Sequence, residues 1–227
     1  MARRLLIVLA TTMAFVAGCG GGSGSTNGEE NKSASQILAD ARTAATAAGS
    51  VHVTGTIVDS GTQLKLNLHA GGRTGSGTIT FRGSPIRVIR IGNTLFMNAP
   101  ASFYTTTGAN KATAALLDGK WLKASATQND FAELAQLTRL KDVLAITTKP
   151  DGKISKGATS TMAGTTVIEL KDDKGGSLYI ATKGDPYPVA LRGKDATSSG
   201  NVRFTEWGEA VEAKAPKGAI DLGATGG

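Results

Sequence analysis

The stretch VHVTGTIVDSGTQLKLNLHA, Val51 to Ala70, alternates apolar and polar residues on both sides of Ser60-Gly61. Successive side chains of a strand point to opposite faces. Val51, Val53 and Ile57 therefore share one face with Leu64, Leu66 and Leu68, while His52, Thr54, Thr56, Lys65, Asn67 and His69 share the other. With Ser60-Gly61 as a two-residue turn, Ile57 faces Leu64, Gly55 faces Leu66, Val53 faces Leu68 and His52 faces His69. A slip of one residue would set polar against apolar throughout, so the register is well determined. The stretch predicts a hairpin with one dry face.

The pattern continues downstream. A turn at Gly83-Ser84 pairs Phe81 with Ile86 and Ile79 with Val88, and a turn at Gly92-Asn93 pairs Val88 with Met97, with Leu95 on the same strand. Later, Ile168 and Leu170 match Ile180 and Leu178 only across an odd-length loop, which predicts a type I turn with a glycine bulge at Gly175. Further strands are expected at Lys153 to Thr161, Tyr187 to Arg192 and Asn201 to Trp207. Between the two groups lie Ala109 to Leu117, the strand KWLKAS from Lys120, and a helix from about Asn129 with Phe131, Leu134, Ala135 and Thr138 along one side. Upstream, Ser33 to Gln36 fits a capping box, and Ile37, Leu38, Ala41, Ala44, Ala45 and Ala48 recur on one helical face until Gly49. About ten antiparallel strands twist too strongly to stay flat and curl into a barrel, a half-barrel or a sandwich. Beyond Phe15 the chain holds only five Phe, two Trp and three Tyr. That scarcity fits an unfilled concavity and fits glycine-rich loops equally well.

The N-terminus reads differently. Arg3 and Arg4 precede an uncharged run from Leu5 to Ala17, the layout of an export signal. As a helix the run would measure roughly 20 Å, short of a hydrocarbon core of about 30 Å. The single cysteine, Cys19, excludes an internal disulfide and stands at the end of this run, in Val16-Ala17-Gly18-Cys19. Those four residues resemble the bacterial lipobox, which implies a covalent diacylglycerol anchor on Cys19. GGGSGSTNGEENK, Gly20 to Lys32, then reads as a flexible tether. The chain carries 25 Lys and Arg against 18 Asp and Glu; loss of Arg3 and Arg4 with the leader lowers its net charge from +7 to +5. The basic residues, among them Lys65, Arg73, Arg82, Arg87 and Arg90, are scattered singly, so no nucleic-acid partner is expected.

Motifs for catalysis are missing. There are two histidines, no H-E-x-x-H, no G-x-S-x-G and no second cysteine. GKISKGA from Gly152 places Ala158 where a phosphate loop needs Lys, and Asp172-Asp173 lacks the spaced acidic ligands of a calcium loop and reads as a turn. His52 and His69 are cross-strand neighbours on a polar face that offers no carboxylate, which reads as a solvated pair without a metal. Trp121 and Trp207 serve the core or line a pocket.

With lipobox, tether, helix, meander, insert and second meander in place, the chain resembles the LppX/LprAFG family of actinobacterial lipoproteins, relatives of LolA and LolB in fold. The resemblance is carried by the helix leading into VHVTGTI, by DGKWLKAS at Asp118 to Ser125, by GDPYPVALRG at Gly184 to Gly193 and by VRFTEWGEAVEAKAP at Val202 to Pro216. It implies a mainly β chain with α elements: a strongly curved antiparallel half-barrel of about 10–11 strands, with helices on the concave side. The implied function is to bind acyl chains of membrane lipids or glycolipids and to carry or present them in the cell envelope. The protein would be lipid-anchored on the extracytoplasmic face of the cell membrane, without enzymatic activity or cofactor, and monomeric. The expected organisation is a leader at 1–18, the lipidated cysteine and tether at 19–32, the lipid-binding domain at 33–217 and a flexible tail at 218–227. The cavity is expected to be lined by Val51, Val53, Ile57, Leu64, Leu66, Leu68, Ile79, Phe81, Ile86, Val88, Leu95, Met97, Phe131 and Leu134. The alternative is a structural or sensory lipoprotein whose concave face is filled by its own helices and whose outer surface binds an envelope protein partner.

Overall fold

Strands β1 (Ser50–Asp59) and β2 (Thr62–Gly71) pair as the alternation requires: His52 faces His69, Val53 faces Leu68 and Ile57 faces Leu64. The computed structural model describes residues 25–223 apart from 60, 151 and 195–197. The leader, the lipobox and Cys19 lie outside the described residues. Strands β3 (Thr74–Phe81), β4 (Ser84–Ile91) and β5 (Thr94–Asn98) extend the meander, with Val88 opposite Met97 as expected. The β3–β4 turn falls at Arg82-Gly83, one residue earlier than the sequence suggests, so Ile79 faces Ile86 and Phe81 faces Ser84. Both turn residues have positive φ, 47° and 85°, the requirement of a type I′ turn, and the second position is the one Gly83 fills without strain. The shift moves the pairing by two residues and leaves every side chain on its expected face.

Helices α2 (Ala101–Thr106) and α3 (Lys111–Leu117) lead into β6 (Trp121–Ser125), which pairs with β5. Sequence periodicity gave one helix after β6. The chain forms two, α4 (Asn129–Gln136) and α5 (Leu140–Thr147), broken where Thr138 turns its hydroxyl back onto the Ala135 carbonyl. The second meander comprises β7 (Ile154–Met162), β8 (Thr165–Asp172), β9 (Ser177–Ala181), β10 (Pro188–Lys194) and β11 (Ser198–Thr205). Ile168 faces Ile180 and Leu170 faces Leu178 across a loop in which Gly175 has φ 97° and the Asp172 carboxylate accepts from the Lys174 and Gly176 amides. The last strand stops at Thr205, short of Trp207.

All twelve strands form one sheet in the order β12-β6-β5-β4-β3-β2-β1-β11-β10-β9-β8-β7, where β12 (Ile220–Asp221) runs parallel to β6. The two terminal strands do not meet, so the sheet is a curved, unclosed half-barrel. The two meanders join where β11 pairs with β1, Val53 opposite Phe204 and Gly55 opposite Val202. Curvature needs close backbone approach on the inner face, and glycine supplies it. Cβ atoms on Gly55 (φ 149°) and Gly77 (φ 145°) would each lie 2.2 Å from a carbonyl oxygen of the neighbouring strand.

The helices cover the inner face. Val51, Val53, Leu66, Leu68, Val88 and Leu95 are buried in one cluster with Tyr104, Ala114, Ala135, Leu140, Val143 and Leu144. Each buried aliphatic side chain contributes about 1.5–3 kcal/mol. Helix α1 (Ala34–Ala48) closes a second, smaller core with Ile37 and Ala41 against Ile168, Leu170, Leu178 and Ile180. Its capping box at Ser33 and Gln36 and its left-handed stop at Gly49 are as the sequence predicts.

Order extends further at both ends than the sequence reading allowed. The later part of the expected tether is docked: the Asn27 amide donates to the Thr182 carbonyl, its side chain to Ala181 and Gly184, and Glu29 is buried in a single 3₁₀ turn. Polar residues dock here because the end of β9 and the connection after it offer them carbonyls. At the other end β12 is held by β6 and by the Lys123–Asp221 ion pair at 2.7 Å, so residues 218–223 are not a free tail.

Candidate functional site

The apolar row along β2, β3, β4 and β5 is covered unevenly. Where α4 and α5 meet, Thr138 is drawn onto the sheet by Arg90. This arginine stands on the inner face in line with Ile86 and Val88 and is only 2% exposed. Its guanidinium donates to the carbonyls of Gly71 (2.8 Å), Arg73 (3.0 Å) and Thr138 (2.9 Å) and to the Thr138 hydroxyl (3.0 Å). Burial, and then the nearby Arg139, pull its pKa below the usual range, yet a guanidinium in protein remains charged. At this end helices and sheet fill the concavity.

At the other end they separate. A cavity of about 410 Å³ opens between the sheet and helices α2 and α4. Leu64, Ile79, Phe81, Ile86 and Met97 form its floor, Phe103 and Thr107 one wall, and Phe131, Glu133, Leu134 and Leu137 the other. Phe81 and Phe103 meet edge to face with centroids 6.3 Å apart. Thr107 and Glu133 are the only polar lining residues among the described ones. Beneath α2, burial and then Asp118 raise the Tyr104 phenol pKa, and its hydroxyl has no partner among the described residues.

Seven of the fourteen predicted lining residues border this cavity: Leu64, Ile79, Phe81, Ile86, Met97, Phe131 and Leu134. The others do not line it. Val51, Val53, Leu66, Leu68, Val88 and Leu95 are packed core, and Ile57 is half-buried against that core. Strand alternation reports the face of a side chain but not whether a helix lies above it, so the two groups look alike in sequence. Phe103 escaped the sequence reading because α2 carries no clear apolar period over its six residues, and Leu137 because it caps α4 outside the side assigned to Phe131, Leu134, Ala135 and Thr138. A second groove, about 650 Å³, runs between α1 and α5 and is bordered by Arg42, Arg139, Lys141 and Lys149 with no acidic residue.

No protein-family model matches the sequence, and no curated protein matches it significantly. Solved structures do. LprF from Mycobacterium bovis aligns over 82% of this chain and 97% of its own, with a TM-score of 0.57 at 14% identity. The Mycobacterium tuberculosis lipoprotein LppX aligns over 79% of this chain and 99% of its own, with a TM-score of 0.50 at 16% identity. The fold is that of LprF and LppX. In this LppX/LprF fold the cavity lies between the curved sheet and its helical insert.

The outer face of the sheet carries the histidines. His52 and His69 are cross-strand neighbours, as the register requires, and their rings stack with centroids 4.1 Å apart and planes 2° from parallel. A carboxylate also reaches this face: Glu206, just past the end of β11. Trp207 turns inward, stacks on Tyr187 at 5.2 Å and donates its indole N–H to the Pro188 carbonyl at 3.0 Å. Trp121 lies under the Arg87 guanidinium at 5.6 Å.

Proposed function

We propose that this chain is a lipid-anchored envelope protein that holds the acyl chains of a membrane lipid or glycolipid in the cavity between sheet and insert, and carries or presents them. The observation that carries this reading is the 410 Å³ opening, walled by aliphatic and aromatic side chains within a rigid, strand-built floor. Its size falls in the range of roughly 300–1,000 Å³ usual for small-molecule sites, and its lining matches a ligand without polar groups along most of its length. Water in such a space would find few hydrogen-bond partners, whereas a hydrocarbon chain would bury its surface at about 25 cal/mol per Å². Of the two polar lining residues, Thr107 donates its hydroxyl to the Phe103 and Tyr104 carbonyls, and the rest of the lining is apolar, which supports binding of an apolar chain. The anchor belongs to the same proposal and rests on Val16 to Cys19. The packed half of the concavity favours a second reading, in which the helices serve as a permanent filling and the outer surface binds a protein partner.

One comparison separates the two. The full chain is purified from membranes in a detergent of distinct mass, extracted for lipid mass spectrometry, and unfolded in urea beside Leu64→Trp and Leu66→Trp. The carrier predicts acyl lipid in the wild type, lost from Leu64→Trp with little change in midpoint, because the new ring occupies cavity space. Leu66→Trp overpacks a filled site and costs roughly 1–3 kcal/mol under either reading. A wild type without lipid, together with a Leu64→Trp variant as destabilised as Leu66→Trp, would overturn the carrier.

A further inference from the structure

His52 on β1, His69 on β2 and Glu206 at the exit of β11 come from three adjacent strands and are brought together only by the sheet. The Nδ1 atom of His52 lies 3.3 Å from one carboxylate oxygen of Glu206, and the Nδ1 atom of His69 lies 3.7 Å from the other. Bonds of 2.0–2.1 Å to a tetrahedral zinc ion place its ligand atoms about 3.4 Å apart. The two histidine–carboxylate distances already stand near that spacing, and one ligand atom from each residue lies within 4.8 Å of the others.

Two further features suit the cluster to a cation. His52 Nε2 is 2.7 Å from the Asn67 side-chain oxygen, which can only accept, so Nε2 donates there and the Nδ1 lone pair of the neutral ring faces Glu206. A lone pair facing a carboxylate repels it unless a proton or a metal ion stands between them; the Thr205 hydroxyl, 3.4 Å from Nδ1, is at the outer limit of a hydrogen bond. A metal-bound histidine is commonly oriented in this way, its other nitrogen donating to a fixed oxygen. The second feature is backbone strain. Glu206 has φ 53°, one of three non-glycine residues among those described with positive φ. The other two, Arg82 and Ala163, stand in tight hairpin turns beside glycine. Glu206 is pinned by its neighbours: Trp207 is bound to Pro188, and the Gly208 amide donates to Ser50 at 3.1 Å. Such strain persists where the surroundings over-determine it and is concentrated at functional sites.

We infer that His52, His69 and Glu206 form a divalent transition-metal site, suited to Zn²⁺, on the outer face of the half-barrel. Two imidazoles and one carboxylate are a ligand set that leaves the fourth tetrahedral position to water or to a donor from another molecule. Capture requires the stacked rings to fan apart about χ2 until their Nδ1 lone pairs converge. Both side chains are partly exposed, His69 more than His52. The inference is independent of the lipid cavity, which opens on the opposite face.

The test uses the full chain, stripped with EDTA and titrated with Zn²⁺ against a chromogenic chelator, with Co²⁺ as a spectroscopic substitute. One Zn²⁺ per chain with micromolar or tighter affinity is expected, as is a visible tetrahedral Co²⁺ spectrum. His69→Ala and Glu206→Gln should each weaken Zn²⁺ binding by about tenfold or more, and Lys65→Ala on the same face should not. Glu206→Gln keeps the side-chain shape, so its circular dichroism and urea midpoint control for misfolding. Absence of binding in the wild type, or affinity unchanged in both ligand variants, would overturn the site.

Discussion

Arg90 shows how a single residue can hold an insert to a sheet. Its carbonyl partners at Gly71, Arg73 and Thr138 belong to the β2–β3 connection and the α4–α5 corner, so the guanidinium is the junction between them. Arg90→Met should lower stability by about 3 kcal/mol, read as a fall in urea midpoint, because several buried carbonyls lose a charged donor. Arg90→Lys should recover little of it, since one ammonium cannot span a fork of acceptors. The alternation Ile86, Val88, Arg90 already placed this side chain on the inner face. A charged residue is ordinarily assigned to the surface, and only the arrival of Thr138 from a distant helix makes the inner position tolerable. Glu206 was hidden for a related reason: its approach to the histidines depends on a left-handed backbone turn that nothing in FTEWGEA announces.

Among the elements, the hairpins were the most legible, because a period of two and glycine-bearing turns specify register locally. The β1–β2, β4–β5 and β8–β9 pairings follow directly from residue types. Short helices were not legible; α2 has six residues, too few to show a period, and its place is set by Tyr104 packing into the core. The inner glycines belong to the same scale. Gly77→Ala should cost about 2 kcal/mol or more in the urea midpoint, since a methyl group there meets the Asn67 carbonyl and the backbone conformation disfavours any side chain. Helix α1 is entered through Lys32, which bonds Asp40 at 2.6 Å and Glu29 at 2.7 Å. These two bonds, Asp40's the larger, push the Lys32 pKa up to about 12. A raised lysine stabilises the fold below its ordinary pKa near 10.4 and loses that effect as pH climbs through about 12. Lys32→Met should therefore lower the melting temperature equally at pH 6 and pH 9, and a penalty that fades between those values would contradict this role.

For the whole molecule, the described sheet ends in β12 on one side and β7 on the other, and the β7 edge is guarded. β7 carries a register shift between Lys156 and Thr159, and Lys156 reaches out to the Glu30 and Lys32 carbonyls at 2.8 and 3.1 Å. Such irregular, charged edges resist pairing with other chains. Strand count and twist left a barrel, a half-barrel or a sandwich open and the family resemblance pointed to the half-barrel, whereas the division of its hollow into a packed half and an open half depends on where the helices land. The anchor is tested at this scale. Under the proposed function, the wild type should partition into the detergent phase of a Triton X-114 extraction and Cys19→Ala into the aqueous phase; equal partitioning would remove the anchor from the proposal.

The docking of Asn27 on the β9–β10 connection sets a short leash. A tether running from Cys19 to Lys32 could extend about 45 Å, but the chain is fastened at Asn27, eight peptide links from the cysteine, and those links span about 28 Å at full stretch. On an acylated chain, the corner formed by Asn27, Thr182 and Gly184 would consequently graze the head-group layer. Under the proposed function, any molecule exchanging cargo with the protein would have to work in a gap narrower than the domain itself.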